Sequence, residues 1–284
     1  MLAQPVELLF VRLTELLKCT HLPFSELFRE LIMARSPRIL IVGESWTVHS
    51  IHQKGFDSFT TTEYAEGVGW LRAALETGGW RVDYQPAHVA AREFPSSAKA
   101  LAVYDCALLS DVGANTLLIH PDTFSRFKAF PNRLDAVRDY VAKGGGLIMV
   151  GGYLSFQGIE AKARYHGTTI EDVLPVMIEA GDDRRETPQG VMPKVLLHDH
   201  PIVVGLPPHW PDLLGYNHVT AKVGAAVIAE VGADPLLVAG AFQRGRAVAF
   251  ASDCGPHWAP PAFIEWTGYE LLWRQIVAWA SGNL

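Results

Sequence analysis

The stretch Ser252-Asp253-Cys254-Gly255-Pro256-His257-Trp258 sets a carboxylate, a thiol and an imidazole within one short turn of chain. A thiol close to an imidazole is the arrangement that yields thiolate at neutral pH, so Cys254 is a candidate nucleophile with His257 as its base. Glu44 or Asp111 would then orient the pair. Unpaired cysteine is also among the most buried residue types, so a packing role stands beside the catalytic one. Cys106 lies in the middle of an apolar run and reads as core, and Cys19 has only His21 as an acid/base neighbour.

Three further stretches concentrate polar side chains directly after apolar runs: Glu44-Ser45-Trp46 with His49 and His52, Asp111-Val112-Gly113-Ala114-Asn115, and Gly151-Gly152-Tyr153-Leu154-Ser155-Phe156-Gln157. His49, His52, Asp111, Asp253 and His257 are zinc- or iron-type donors, yet none forms a helical i, i+4 ligand pair. No metal or other cofactor is expected. In His198-Asp199-His200-Pro201 the proline and the nearby Gly205 suit a turn better than a ligand set. Gly144-Gly145-Gly146 falls between a helix and a strand, where a C-cap belongs, whereas a phosphate cradle must follow a strand and open a helix. Gly151-Gly152 has the right place for such a cradle but lacks a Lys-Ser/Thr partner. Ser155 reads as a cap on a following helix.

The elements that would position these residues alternate. Arg38–Gly43 is a β-branched run of the buried-strand type, followed by a loop from 44 to about 61 and a helix from about 62 to 75. Strands at 80–84, 104–110 and 147–150 and a helix at 132–143 continue the pattern. Strands alternating with helices imply a mostly parallel sheet with helices on both faces, and ligands of such sheets bind outside the carboxyl ends of the strands. The four polar stretches are therefore expected to form one pocket.

Residues 181–222 have weak periodicity and read as loops and short strands. Strands at 225–231, 236–242 and 247–251 follow, and a closing helix spans about 262–281. Upstream, Val6, Leu9, Phe10, Leu13, Leu16 and Leu17, then Phe24, Leu27, Phe28, Leu31 and Ile32, form two helical stripes broken at His21-Leu22-Pro23. Residues 1–36 are thus expected to be a helical hairpin ahead of one α/β domain at 37–284, with Met33 an alternative start just before it. Short amphipathic helices need a packing partner, and together with Trp273 and Trp279 they point to a homo-oligomer.

Of the 284 residues 49% are hydrophobic and 19% charged, which excludes disorder and leaves material for a large core. The net charge of −6 makes nucleic acid a poor partner. No apolar run approaches a membrane span, so no membrane partner is expected. Glu7, Arg12 and Glu15 are wrong for a signal peptide, and three scattered cysteines suit a reducing cytoplasm.

The run Gly144 to Gly158, the stretch Leu109-Ser110-Asp111-Val112-Gly113-Ala114-Asn115-Thr116 and the Ser-Asp-Cys-Gly-Pro-His-Trp segment together resemble a class I glutamine amidotransferase-like family of cytoplasmic bacterial proteins, over roughly residues 37–282. The resemblance implies a flavodoxin-like sheet. It also implies a nucleophile at a strand-to-helix elbow of the form Gly-x-Cys-x-Gly-x-Gln, with a later His-x-Glu pair. Laid on 151–157, Gly151 and Gln157 match, but Tyr153 stands where the thiol belongs. A phenol with an ordinary pKa of about 10 is no acyl-transfer nucleophile without strong activation. The expected function is a ligand-binding or structural relative without glutaminase activity, its pocket built from Glu44, Ser45, His49, Asp111, Gly113, Asn115, Gly152, Tyr153, Gln157 and Asp253 and taking a small polar metabolite. The alternative is a cysteine-dependent hydrolase or transferase using Cys254 and His257.

Overall fold

The structure, a computed structural model, describes residues 36–284. The expected helical hairpin at the N-terminus lies outside the described residues.

Apolar runs that are buried on both sides build the centre of the molecule. β1 (Arg38–Gly43), β5 (Cys106–Ser110) and β6 (Gly146–Val150) are buried almost throughout, as strands covered on both faces must be. With β4 (Arg81–Gln85) and β14 (Gly245–Phe250) they form five parallel strands in the order β4-β1-β5-β6-β14. Three strands extend this sheet antiparallel beyond β14: β13 (Asp234–Phe242), β12 (Ala226–Val231) and β9 (Pro193–Val195). Four of the seven pairings are parallel, so the sheet is mostly parallel and mixed at one edge.

Alternate residues of each strand face opposite layers. Ile39 and Ile41 pack with Leu71 and Leu75 of helix Gly69–Thr77 and with Leu272, Trp273 and Ile276 of helix Tyr269–Ala280. Leu40 and Val42 face the other layer, with Leu134, Val137 and Val141 of helix Arg133–Ala142. That helix is capped by Asn132, whose Oδ1 accepts from the amides of Leu134 and Asp135 at 2.9 and 3.3 Å. It ends at Gly144, whose φ of +111° is open to glycine. Arg133 is fully buried, and its guanidinium donates to the carbonyls of Leu117, Ala90, Ala91 and Thr116, joining three helices of this layer.

Three expectations need correction. Residues 44–61 are not a loop: β2 (Ser45–Lys54) and β3 (Asp57–Glu66) form a long antiparallel hairpin, in register from Ser45↔Glu66 to Lys54↔Asp57. Gly55, with φ +62°, takes the first position of its two-residue turn, as a type II′ connection requires. Both faces of the hairpin lie in solvent, so no period-two apolar signal marks it in the sequence. The helix expected from 62 accordingly begins only at Gly69. The closing helix is two, Pro261–Ile264 and Tyr269–Ala280, and the Trp266 ring between them fills the space that a side chain at Gly268 would take. Trp273 is buried in the chain's own core, and Trp279 packs against that core beneath the Arg246 guanidinium, 5.1 Å from the ring centroid.

The 181–222 region holds the expected short strands. β8 (Arg184–Val191) pairs with β10 (Leu213–Asn217), and β7 (Val176–Ile178) with β11 (Val219–Ala221). No described helix is long and apolar enough to cross a membrane.

Candidate functional site

A cleft of about 520 Å³ opens at the carboxyl ends of β1, β5, β6 and β14. Its floor is acidic. Glu44 follows β1 directly and Asp111 follows β5 directly, and both backbones are left-handed, with φ of +44° and +45°. Such conformations are costly for residues with a Cβ and tend to cluster where function holds them. Gly43 makes the first possible: a Cβ there would stand 1.8 Å from the Ser110 carbonyl oxygen, while the Glu44 amide donates to that same oxygen at 2.9 Å. The third acid, Asp253, comes just past β14 and is only 6% exposed.

Burial pushes the Glu44 carboxyl well above the usual carboxylate range, and the neighbouring Asp253 and Asp111 push it further, against a hydrogen bond from the Ser110 hydroxyl. Burial likewise raises Asp111, although its Oδ1 accepts from the Leu154 amide at 2.7 Å. Glu44 and Asp111 are therefore poised to hold protons at higher pH than ordinary carboxyls.

Cys254 is 1% exposed and sits behind this floor. Its Sγ lies 3.7 Å from Ser110 Oγ and faces Glu44. Burial raises its pKa well above the usual thiol range, and the charges of Glu44 and Asp253 raise it further. His257 turns elsewhere: its Nδ1 is 3.7 Å from Asp253 Oδ2, and its ring meets Tyr153 edge-on, centroids 4.0 Å apart, and stacks on Trp258 at 5.3 Å.

Tyr153, Trp46 and His257 form aromatic walls, with Leu154, Ile159 and Pro256 between them. Tyr153 is held from behind. Its hydroxyl donates to Glu186 Oε1 at 3.2 Å, Trp258 Nε1 donates to Glu186 Oε2 at 3.1 Å, and the Arg184 guanidinium lies 5.2 Å from the Tyr153 ring centroid. The turn after β6 is braced by Asn217, whose side chain exchanges hydrogen bonds with Gly152 N and O and donates to Asp183 Oδ1 at 2.8 Å. Asp183 in turn accepts from the amides of Gln157 and Gly158.

Glu44, Asp111, Tyr153, Asp253 and His257 thus line one cleft, with Cys254 beneath. Other sequence candidates have structural positions. Ser45 Oγ accepts from the Ala87 amide at 2.8 Å. Gly152 is tied to Asn217, and Gln157 bonds Ala180 O and the His166 amide. Gly113 precedes the short helix Ala114–Leu118, within which Asn115 is exposed. His49 and His52 lie out on the hairpin, bonded to Thr62 and Thr61. Ser155 caps no helix; its Oγ accepts from the Asp111 amide at 3.0 Å. Gly67, Glu186 and Asn217 escaped the sequence reading, and Trp46 entered it only as part of a polar stretch. The first three sit in segments without periodicity.

The profile of a family described as "Putative glutamine amidotransferase" matches residues 38–282. Two solved structures of cytoplasmic proteins from Salmonella typhimurium are similar. STM3548 is 45% identical with a TM-score of 0.83, covering 85% of this chain and 98% of that one. STM1381 is 47% identical with a TM-score of 0.83, covering 86% and 99%. Among curated proteins none matches the chain.

Proposed function

Because the chain belongs to this glutamine amidotransferase-like family, we propose that it keeps the family's strand-end cleft as a binding site for a small polar metabolite and lacks glutaminase activity. The observation that carries this reading is at the turn after β6. Tyr153 stands at the position of the acyl-forming thiol and is fixed as a wall by His257, Trp258 and Glu186. The positive φ values in this turn belong to Gly152, Phe156 and Gly158 rather than to Tyr153, and only a single 3₁₀ turn, Ile159–Ala161, follows it. A strand-to-helix elbow that presents a nucleophile needs a strained residue at its tip and a helix behind it.

The cleft volume suits a small molecule, its carboxyl groups suit hydroxyl or amine donors, and its rings suit apolar faces. The alternative, a hydrolase using Cys254 and His257, has less support, since the thiol faces acids and the imidazole faces rings and Asp253. The order of the parallel strands supports a flavodoxin-like arrangement. We further propose a cytoplasmic homo-oligomer; exposed Ile51, Phe56 and Phe59 on the hairpin add apolar surface to that reading. A panel of small polar metabolites screened by thermal unfolding, alongside ammonia release from glutamine, tests the proposal. A ligand that raises the melting temperature without ammonia release is expected, and glutamine turnover would contradict it.

A further inference from the structure

The geometry points to a small aliphatic primary amine, in its ammonium form and without a carboxylate, as the class of ligand that the cleft takes. This rests on the metabolite-binding reading of the cleft and names the chemistry of the metabolite.

The walls and floor of the cleft suit an alkyl cation. Trp46, Tyr153 and His257 present rings to it, and an ammonium within about 6 Å of an indole or phenol ring is attracted by the negative face of that ring. Gly67 lets a carboxyl group and the indole converge, since a Cβ there would stand 2.8 Å from Glu44 Oε2 and 3.3 Å from Trp46 Cζ3. Leu154, Ile159 and Pro256 offer apolar surface to an alkyl chain, and about 520 Å³ leaves room for one of several carbons.

A second observation is independent of the acids and the rings. Gly67 is buried and lines the cleft, and its carbonyl oxygen faces Gly255, where a Cβ would stand 3.2 Å from it. Among the described residues no donor reaches that oxygen. Buried carbonyls are mostly paired, so one left open beside a cleft marks the place of a donor that the chain does not supply. Asp111 offers a second open acceptor: its Oδ1 accepts from the Leu154 amide, and among the described residues nothing donates to Oδ2. Glu44 is engaged by the Ser110 hydroxyl and the Cys254 thiol, and Asp253 by the Gly255 amide and His257. A primary ammonium brings three N–H donors to these acceptors, and a quaternary one brings none.

Charge decides against a carboxylate on the ligand. Among the described residues no lysine or arginine lines the cleft, and His257, the lining side chain able to become cationic, is committed to Asp253, with Nδ1 3.7 Å from Oδ2. Arg184 lies behind Tyr153 and donates to Asp182 at 2.7 Å. Glu44, Asp111 and Asp253 thus face one imidazole, and burial together with their mutual repulsion raises Glu44 and Asp111. A ligand cation relieves that repulsion, whereas a ligand carboxylate adds to it and finds no cationic side chain to pair with.

The test is calorimetric titration of the full chain with n-butylamine in phosphate buffer free of other amines. One equivalent should bind. Norvaline, which adds a carboxylate, 1-butanol, which lacks the charge, and n-butyltrimethylammonium, which lacks N–H donors, should each bind about tenfold more weakly or worse. Asp111→Asn should weaken n-butylamine about tenfold and Trp46→Ala about fivefold, with Trp46→Phe losing less because a ring remains, and circular dichroism reports the fold. No saturable binding of n-butylamine, equal affinity for any of the three analogues, or unchanged affinity in folded Asp111→Asn or Trp46→Ala overturns the proposal. Should Asp111→Asn fail to fold, the Trp46 pair decides, because that side chain is exposed. Binding of norvaline or 1-butanol with n-butylamine inert overturns the amine assignment and leaves the metabolite-binding reading intact. Failure of that reading shows instead as silence of all four compounds together with a metabolite panel that leaves the melting temperature unchanged.

Discussion

The Tyr153 ring meets the His257 ring edge-on, with centroids 4.0 Å apart and planes at 83°. This contact makes Tyr153, the residue we propose in place of the family's thiol, a wall of the cleft. Tyr153→Phe keeps the ring contact and loses only the hydroxyl's bond to the exposed Glu186, so it should change stability by less than about 1 kcal/mol. Tyr153→Ala removes the edge contacts to His257 and Trp258 and should cost about 2 kcal/mol. Urea unfolding of the two variants checks the contrast; equal losses would mean that the ring does not brace the site.

Cys254 should react slowly with iodoacetamide at neutral pH. Its pKa is raised, first by burial and then by Glu44 and Asp253, so little thiolate is present, and the sulfur is covered. Peptide mass spectrometry should find native labelling far slower than in urea, with no plateau near neutral pH. Rapid native labelling would restore the nucleophile reading.

Arg133 joins three helices through four backbone carbonyls, and its loss would leave those acceptors buried without donors. Arg133→Met should cost roughly 3 kcal/mol, and Arg133→Lys should recover only part of it, because an ammonium cannot reproduce the planar fork. The urea midpoint reads both.

Asp111 gives a pH-dependent prediction. Its folded pKa is raised by burial and by Asp253, so its charged form opposes folding at neutral pH. That penalty disappears as pH falls through the raised folded value toward the ordinary one. Asp111→Asn keeps an oxygen for the Leu154 amide and removes the charge. It should raise the melting temperature by a few degrees at neutral pH, with the gain fading toward about pH 4. A gain independent of pH would assign the effect to packing instead.

The parallel strands and their polar ends were legible in the sequence because strands buried on both faces are unbroken apolar runs, as in Arg38–Gly43 and Gly146–Val150. That is why Glu44, Asp111, Tyr153 and Asp253 could be assigned to one cleft. The hairpin 45–66 was not legible, since Thr60, Thr61, Thr62, His49 and His52 alternate without a buried face. Nor was the orientation at 253–257. Adjacency of Cys254 and His257 in sequence suggests a dyad, whereas a turn sends the thiol inward to Glu44 and the imidazole outward to Tyr153. Side-chain direction in a turn follows from backbone angles that residue types alone do not specify.

Ammonia release from glutamine by the purified native chain, with and without candidate acceptors, bears most directly on the central claim. On the proposed reading, in which Tyr153 replaces the thiol, release should equal that of a protein-free control. Protein-dependent turnover would contradict the account, and its loss in Tyr153→Phe or in Cys254→Ser would identify which side chain carries the chemistry.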